Sequence, residues 1–266
     1  MNTTAVSLYS KLGTADAPFV LDVRRETAFN EADTLIASAM RADEDPLAFA
    51  WKHAQGCEVV VYCVHGHEVS QDIARTLCGA GLEASYLEGG IADWIAAKLP
   101  TIRKRLEWRV PGGSRWITRE RPKIDRVACP WLIRRLIDPL ASFDYVPTAR
   151  VFEEAKSRNA VPYDIPGAVV THRGDHCSFD ALIEDFALDD PALDRLAMIV
   201  RGADTDRHDL APQCAGLVAT SLGLSRRFTN DHEMLEEAMP MYDALYAWCR
   251  AEQQGDHERH DWKPGA

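Results

Sequence analysis

The stretch EVVVYCVHGHEVSQDIARTLCGAGLEASYLEGGIADW, residues 58–94, decides the fold of the first part of this chain. EVVVY (58–62) is a β-branched run of the kind buried on both faces of a sheet, and it stops at Cys63. Residues 70–80 place Ile73, Ala74, Leu77 and Cys78 at helical spacing, with Ser70 as the expected N-cap and Gly81 as the stop. ASYL (84–87) reads as a short strand, and Gly89-Gly90 opens a further helix, IADWIAAKL. Upstream, FVLDV (19–23) is a second buried strand ending in a polar turn. Strands alternating with helices predict an α/β fold with a parallel sheet.

In such a sheet, the carboxyl end of a strand is where ligands sit. A cysteine there, followed by a short loop and a helix start, meets backbone N–H groups that favour an anion, lower a thiol's pKa and stabilise a bound persulfide. Residues 63–70, CVHGHEVS, therefore read as a nucleophile loop. A lone cysteine is more often a structural residue, so the loop chemistry alone leaves both readings open.

Working outward, 266 residues with 46% hydrophobic and 27% charged side chains suit two globular domains, each with its own core. No apolar run reaches the roughly 20 residues that span a bilayer, and the start has no basic region followed by an apolar core. A cytoplasmic location without membrane contact is the expectation. Seven cysteines, an odd number without framework spacing, are expected as thiols rather than a disulfide scaffold. The net charge of −11 is uneven: −7 over residues 1–100, +5 over 101–121 and −9 beyond. An acidic protein of this kind is not expected to bind nucleic acid. Residues 101–115 read as a basic linker with Gly112-Gly113 as its flexible point. Residues 116–252 read as a helix-rich mixed α/β domain, and 253–266 as a flexible tail. Within the second domain SFDYV (142–146) and AVVTH (168–172) are expected strands. VFEEAKSRN (151–159) is an expected helix, SFDALIEDF (178–186) another with Ser178 as cap, and Asp190-Pro191 starts a third. A last long helix over about 231–252 carries Leu235, Ala238, Met239, Tyr242, Leu245, Tyr246 and Cys249 on one face.

Residues 19–99 resemble a single rhodanese domain. LDVRRETAFNEADTLIASAM is similar to that family's opening Asp-Val-Arg stretch, and residues 62–94 to its active-site strand, loop, helix and closing Gly-Gly-x-x-x-Trp segment. The resemblance implies that Cys63 takes a sulfane sulfur from a small donor as a persulfide and passes it to a thiol acceptor. Gly66 would let the loop curl, with His65, His67 and Glu68 at its rim, and Asp22 and Arg24 would brace it. Where many members carry a cation or hydroxyl late in the loop, this chain has Glu68, which opposes an anionic donor such as thiosulfate; protonated His65 and His67 would offset it below about pH 6.5. The loop also lacks the closing Arg that phosphatase and arsenate-reductase relatives use to hold an oxyanion.

The second half is dense in carboxylates and imidazoles at helix starts and strand ends, the donors that Fe, Mn or Zn sites use. His172 and Asp204 are the first candidates as ligands, with Asp125, Asp180 and His232 beside them. Such residues also cap helices and face water, and their spacing alone favours that plainer role. Four segments, at 116–139, 171–193, 199–212 and 242–248, resemble the C-terminal domain of the chromate-resistance protein B family. That resemblance implies an association with chromate resistance, as regulator or accessory to an efflux pump. The combined expectation is a Cys63 thiol sulfurtransferase fused to a metal- or oxyanion-binding domain, serving resistance to chromate or oxidative stress. The competing expectation is a non-catalytic sensor or adaptor for chromate or metal, in which a degenerate rhodanese module only docks a partner.

Overall fold

A computed structural model of the chain describes residues 1–42, 45–109 and 112–253. The first unit runs β1 (Asn2–Thr3), α1 (Ala5–Lys11), β2 (Phe19–Asp22), α2 (Glu26–Glu31), β3 (Thr34–Ile36), β4 (Met40–Arg41), α3 (Pro46–His53), β5 (Val59–Tyr62), α4 (Glu68–Gly79), β6 (Ala84–Leu87), α5 (Gly90–Ala96) and β7 (Thr101–Arg103). Its main sheet has the order β1-β6-β5-β2-β4 and every pairing in it is parallel. Phe19, Leu21, Val59 and Val61 enter one apolar cluster, while Val20, Val60 and Tyr62 enter another. With a side-chain period of two, both faces of the sheet are thus buried, which is why its strands read as unbroken apolar runs.

The second unit runs β8 (Arg115–Arg119), α6 (Asp125–Leu132), a π-helical turn (Ile133–Ile137), β9 (Ser142–Val146), a 3-10 turn (Thr148–Arg150), α7 (Val151–Arg158), β10 (Val161–Pro162), α8 (Ser178–Phe186), α9 (Pro191–Asp204), α10 (Cys214–Arg227) and α11 (Asp231–Gln253). Three short parallel strands, β10-β8-β9, lie with these helices. The amphipathic face expected on the last helix is buried at Leu235, Ala238, Met239, Tyr242, Tyr246 and Cys249.

Four local expectations are corrected. α4 begins at Glu68, with His67 as its N-cap, because the Ser70 hydroxyl turns back to Cys63 and the His67 carbonyl instead of capping. The N-cap of α8 is Cys177, and Asp180 closes that end by accepting the Cys177 N–H at 2.9 Å. Residues 168–172 form no strand: Val170 makes one isolated bridge to Tyr163, and Gly167 turns the chain at φ +92. The basic stretch is docked over its described residues: β7 pairs with β3, Arg105 donates to the Asp185 carbonyl, and Trp108 packs on Trp116 and Phe186. Residues 254–266, the bulk of the expected tail with its Asp256-to-Asp261 histidine stretch, lie outside the described residues.

The largest apolar cluster runs through both units. Leu8, Val20, Trp94 and Ile102 from the first share it with Trp116, Trp131, Phe179 and Tyr246 from the second. Each half also keeps a cluster of its own, around Leu21 and Val61 in the first and around Ile117 and Val151 in the second, so the expected separate cores are present but joined by this shared one; truncating a fully buried member such as Trp131 to Ala costs about 3–5 kcal/mol. Among the described residues no helix is long and apolar enough to cross a membrane, and all seven cysteines are free thiols.

Candidate functional site

Two constellations stand out, one in each unit. The first is the turn between β5 and α4. Cys63 lies at the carboxyl end of the central strand β5 and is buried. Its loop is held by its carbonyls: the N-terminal N–H groups of α5 donate from Ile91 to Cys63 O and from Ala92 to Val64 O, both at 3.0 Å, and Gln71 Nε2 donates to Gly66 O at 2.9 Å. The N–H groups of His65, His67 and Ser70 lie near enough to the sulfur to favour its anion, although that of Ser70 also donates to the His67 carbonyl at 3.1 Å, and Ser70 Oγ lies 3.2 Å from Cys63 Sγ. Burial pushes the thiol's pKa up, but the Ser70 hydroxyl and these three N–H groups outweigh it, and the net shift is downward.

Gly66 has a structural reason to be glycine. It sits at φ +68, and a Cβ there would lie 2.4 Å from the Leu87 carbonyl oxygen. Gly90, at φ +58, packs so closely that a Cβ would reach 2.4 Å from Cys63 O. The sequence signal Gly-Gly after β6 is thus the partner surface of the cysteine loop. His65, His67 and Glu68 are exposed at the rim, their rings and carboxylate directed to solvent. Asp22 and Arg24 are buried in a forked ion pair, with Arg24 Nη2 2.6 Å from Asp22 Oδ2. Their further side-chain partners are Tyr62 Oη, which donates to Asp22 at 3.0 Å, Thr34 O, which accepts from Arg24, and Arg41, which donates to the Asp22 and Arg24 carbonyls; none lies in residues 63–70. They therefore steady the end of the strand that carries Cys63, one step removed from the loop they were expected to brace.

The second constellation gathers at the start of α6. Ile124, just before it, holds φ +45, a strained value for a β-branched residue. Its N–H donates to Ser221 Oγ and its carbonyl accepts from Tyr242 Oη, each at 2.9 Å. Asp125, the first helical residue, is fully buried, and its carboxylate accepts the N–H groups of Ser178 (2.7 Å) and Phe179 (2.9 Å) at the start of α8. Pro130 inside α6 leaves the Arg126 carbonyl without a helical donor, and the Tyr163 hydroxyl fills that role at 3.2 Å. This places the next residue, Asp164, in the same site. Asp164 accepts from Ser178 Oγ at 2.9 Å and pairs with Arg119 and Arg126, each at 3.2 Å.

His172 closes the group. Its Nε2 lies 3.2 Å from Asp204 Oδ2, 3.4 Å from Asp164 Oδ1 and 3.6 Å from Asp125 Oδ2. Burial, then the charges of Asp164 and Asp204, push the Asp125 carboxyl up to about 7. Burial opposes ionisation of Asp164 as well, but His172, Ser178, Arg126 and Arg119 overcome it and its pKa falls. The hydrogen bond to Asp164, with further help from Asp125 and Asp204, raises His172 to about 9. Asp204, on the last turn of α9, is raised by burial and by Asp164.

Of the ligands expected from sequence, the structure brings together Asp125, His172 and Asp204. It does not bring Asp180, whose carboxylate is taken by the start of α8 and by Arg201 in a two-pronged pair at 2.6 and 2.9 Å. Nor does it bring His232, which lies exposed in the first turn of α11 with its ring 5.4 Å from that of Tyr145. Asp164 was missed. Its segment, VPYDIPG (161–167), is apolar and turn-rich with no neighbouring donor, and the one signal was an acid set between two buried apolar residues, Tyr163 and Ile165. Cys129 and Cys177 are buried nearby; burial and then the Asp125 carboxylate push both thiols up, so neither is a poised nucleophile.

A parallel sheet presenting a cysteine loop at its carboxyl edge, followed by this helix-rich unit, defines a rhodanese-like domain joined to a second domain of its own class. Residues 4–97 match the family described as rhodanese-like domain, and residues 116–249 match the family described as ChrB, C-terminal domain. The chain belongs to the ChrB C-terminal domain family. It is 38% identical over 135 residues to "Protein ChrB" of Cupriavidus metallidurans, a match that covers 50% of this chain and 40% of that relative. The first unit is similar to a solved rhodanese-related protein from Thermoplasma volcanium at 29% identity, covering 38% of this chain and 95% of that one with a TM-score of 0.32. It is also similar to a Rhodanese_3-like domain from Anabaena at 34% identity, covering 32% and 98% with a TM-score of 0.29.

Proposed function

We propose that the chain is a Cys63-dependent sulfurtransferase whose activity serves resistance to chromate or related oxidative stress. The observation that carries the reading is the sulfur's surroundings: the Ser70 hydroxyl at 3.2 Å and the nearby N–H groups of the loop and the start of α4 together lower its pKa against burial. Such a cradle suits a thiolate and equally a persulfide anion at the same place.

The Cys63 thiolate attacks the donor's transferable sulfur, and the bond holding that sulfur breaks, its electron pair leaving with the remainder: an S–S bond in a sulfane donor, or the C–S bond of 3-mercaptopyruvate, which departs as the enolate of pyruvate and takes up a proton. With thiosulfate, sulfite leaves and Cys63 carries one added sulfur. A thiol acceptor in its thiolate form then attacks that outer sulfur and releases the Cys63 thiolate. Glu68, in the first turn of α4 and exposed beside the loop, places a negative charge on the donor's approach. It favours donors of lower negative charge than thiosulfate. The test is sulfide release from 3-mercaptopyruvate in the presence of dithiothreitol. Wild type should turn over and Cys63→Ser should not; equal rates in the two would contradict the reading.

A further inference from the structure

We infer that Asp125, Asp164, His172 and Asp204 form a binding site for one divalent cation of the Mn2+ or Fe2+ kind. The site stands apart from Cys63. Three carboxylate oxygens, from three separate segments, lie 3.2–3.6 Å from a single imidazole nitrogen. One N–H can be directed at only one of them; Asp125 Oδ2 and Asp164 Oδ1 already accept from Ser178 N–H and Oγ, and it is their remaining lone pairs that crowd the imidazole. A cation at the centre of the group satisfies all three oxygens and the nitrogen lone pair together. One potential ligand atom each from Asp125, Asp164 and His172 already lies within 4.8 Å of the others. Ligands about 2.1 Å from a shared ion stand at most about 4.2 Å apart, so these three need only side-chain adjustments, while Asp204, 3.2 Å from the imidazole but outside that trio, has to swing further in.

The charge balance points the same way. Asp125 is fully buried, and among the described residues the one basic side chain paired with it is His172, itself 42% exposed. A buried carboxylate held by two backbone N–H groups and a half-solvated imidazole still lacks a full counter-charge. Arg119 and Arg126 do not fill the role, because both are held on Asp164 Oδ2 and leave Oδ1 facing His172.

The surrounding contacts are those of a held ligand set. Ser178 N–H and Phe179 N–H fix Asp125, Ser178 Oγ and the two arginines fix Asp164, and the Asp125 N–H donates to Asp204. The exposed side of His172 leaves a way in from solvent and room for water on the ion. The donor set selects the class of ion: three hard oxygens and one imidazole, without thiolate, suit Mn2+ or Fe2+ better than Ca2+ or Cu+. Cys129 and Cys177 are fully buried beside Asp125 and stand outside the set.

The experiment is a titration of chelator-stripped, tag-free full-length chain with MnCl2, followed by loss of the free Mn2+ electron paramagnetic resonance signal. One Mn2+ per chain is expected. His172→Ala and Asp164→Asn should each weaken binding by at least about tenfold with an unchanged circular dichroism spectrum. His232→Ala, and His257→Ala with His260→Ala, should leave binding at the wild-type level. Absence of a one-to-one site in wild type would overturn the inference. So would a folded His172→Ala that binds like wild type, and since that side chain is partly exposed, this variant decides even where Asp164→Asn fails to fold.

Discussion

The two constellations are built on opposite plans. The Cys63 loop is made almost wholly by backbone from one short segment, with α5 and the Gly89-Gly90 turn as its mould. The acidic pocket is made by side chains from four segments, brought together by the packing of α6, α8 and α9 and the loop after β10. A backbone site is tied to the shape of its turn and depends little on the identity of the exposed residues on it. A side-chain site depends on each member and on the strain and capping that aim it, as at Ile124 and Pro130.

That contrast can be broken at Gly66. Placing Val there drives a branched side chain into the Leu87 carbonyl at a positive φ, so the loop must rebuild. Sulfur loading of Cys63 should fall by more than about a hundredfold, in line with the cost of misplacing a reacting group. Mn2+ binding in the other unit should stay at the wild-type level. Loss of both together would mean that the shared core, rather than each local frame, governs the sites.

A smaller effect is expected at Ser70. Replacing it by Ala removes the largest of the contacts that lower the Cys63 pKa and leaves the loop N–H groups in place. The pH profile of iodoacetamide alkylation should shift upward, and the rate at pH 7 should drop about three- to tenfold, as the loss of one hydrogen bond to a charged group implies. An unshifted profile would place the whole effect in the backbone.

The smallest effect concerns stability against pH in the metal-free chain. His172 rises to about 9 when folded, against about 6.5 unfolded, so the folded state keeps a proton that the unfolded chain releases. Its contribution is fully present below about pH 6.5 and lost as pH climbs toward 9. Asp125, raised to about 7 from about 3.9, adds a decline of the same sign between those values. Urea midpoints should fall from pH 6.5 to 9 in wild type, and His172→Ala should flatten that upper window. An equal slope in the variant would remove His172 from the cluster's electrostatics.

The same contrast explains what the sequence discloses. The β2 and β5 runs, the cysteine at a strand end and the Gly-Gly turn are local signals, and each corresponds to a local structure. Capping was misread where a side chain had a stronger partner elsewhere, as Ser70 does in the Cys63 sulfur. In the second unit, His172, Asp125 and Asp204 were legible by residue type at element ends. Choosing among candidates required knowing that Arg201, one turn before Asp204, takes Asp180, and that Tyr163 answers the carbonyl freed by Pro130. Those are long-range facts, and no spacing rule within one segment carries them. The shared cluster was hidden for the same reason: period and composition mark a residue as buried but not which unit it is buried against.

Intact-mass measurement of the reduced chain after incubation with thiosulfate, and separately with 3-mercaptopyruvate, tests the central claim most directly. The account predicts a gain of one sulfur on wild type with at least one donor, the larger gain coming from 3-mercaptopyruvate, and none on Cys63→Ser. No gain with either donor, or an equal gain on the serine variant, would contradict Cys63 as the sulfur acceptor.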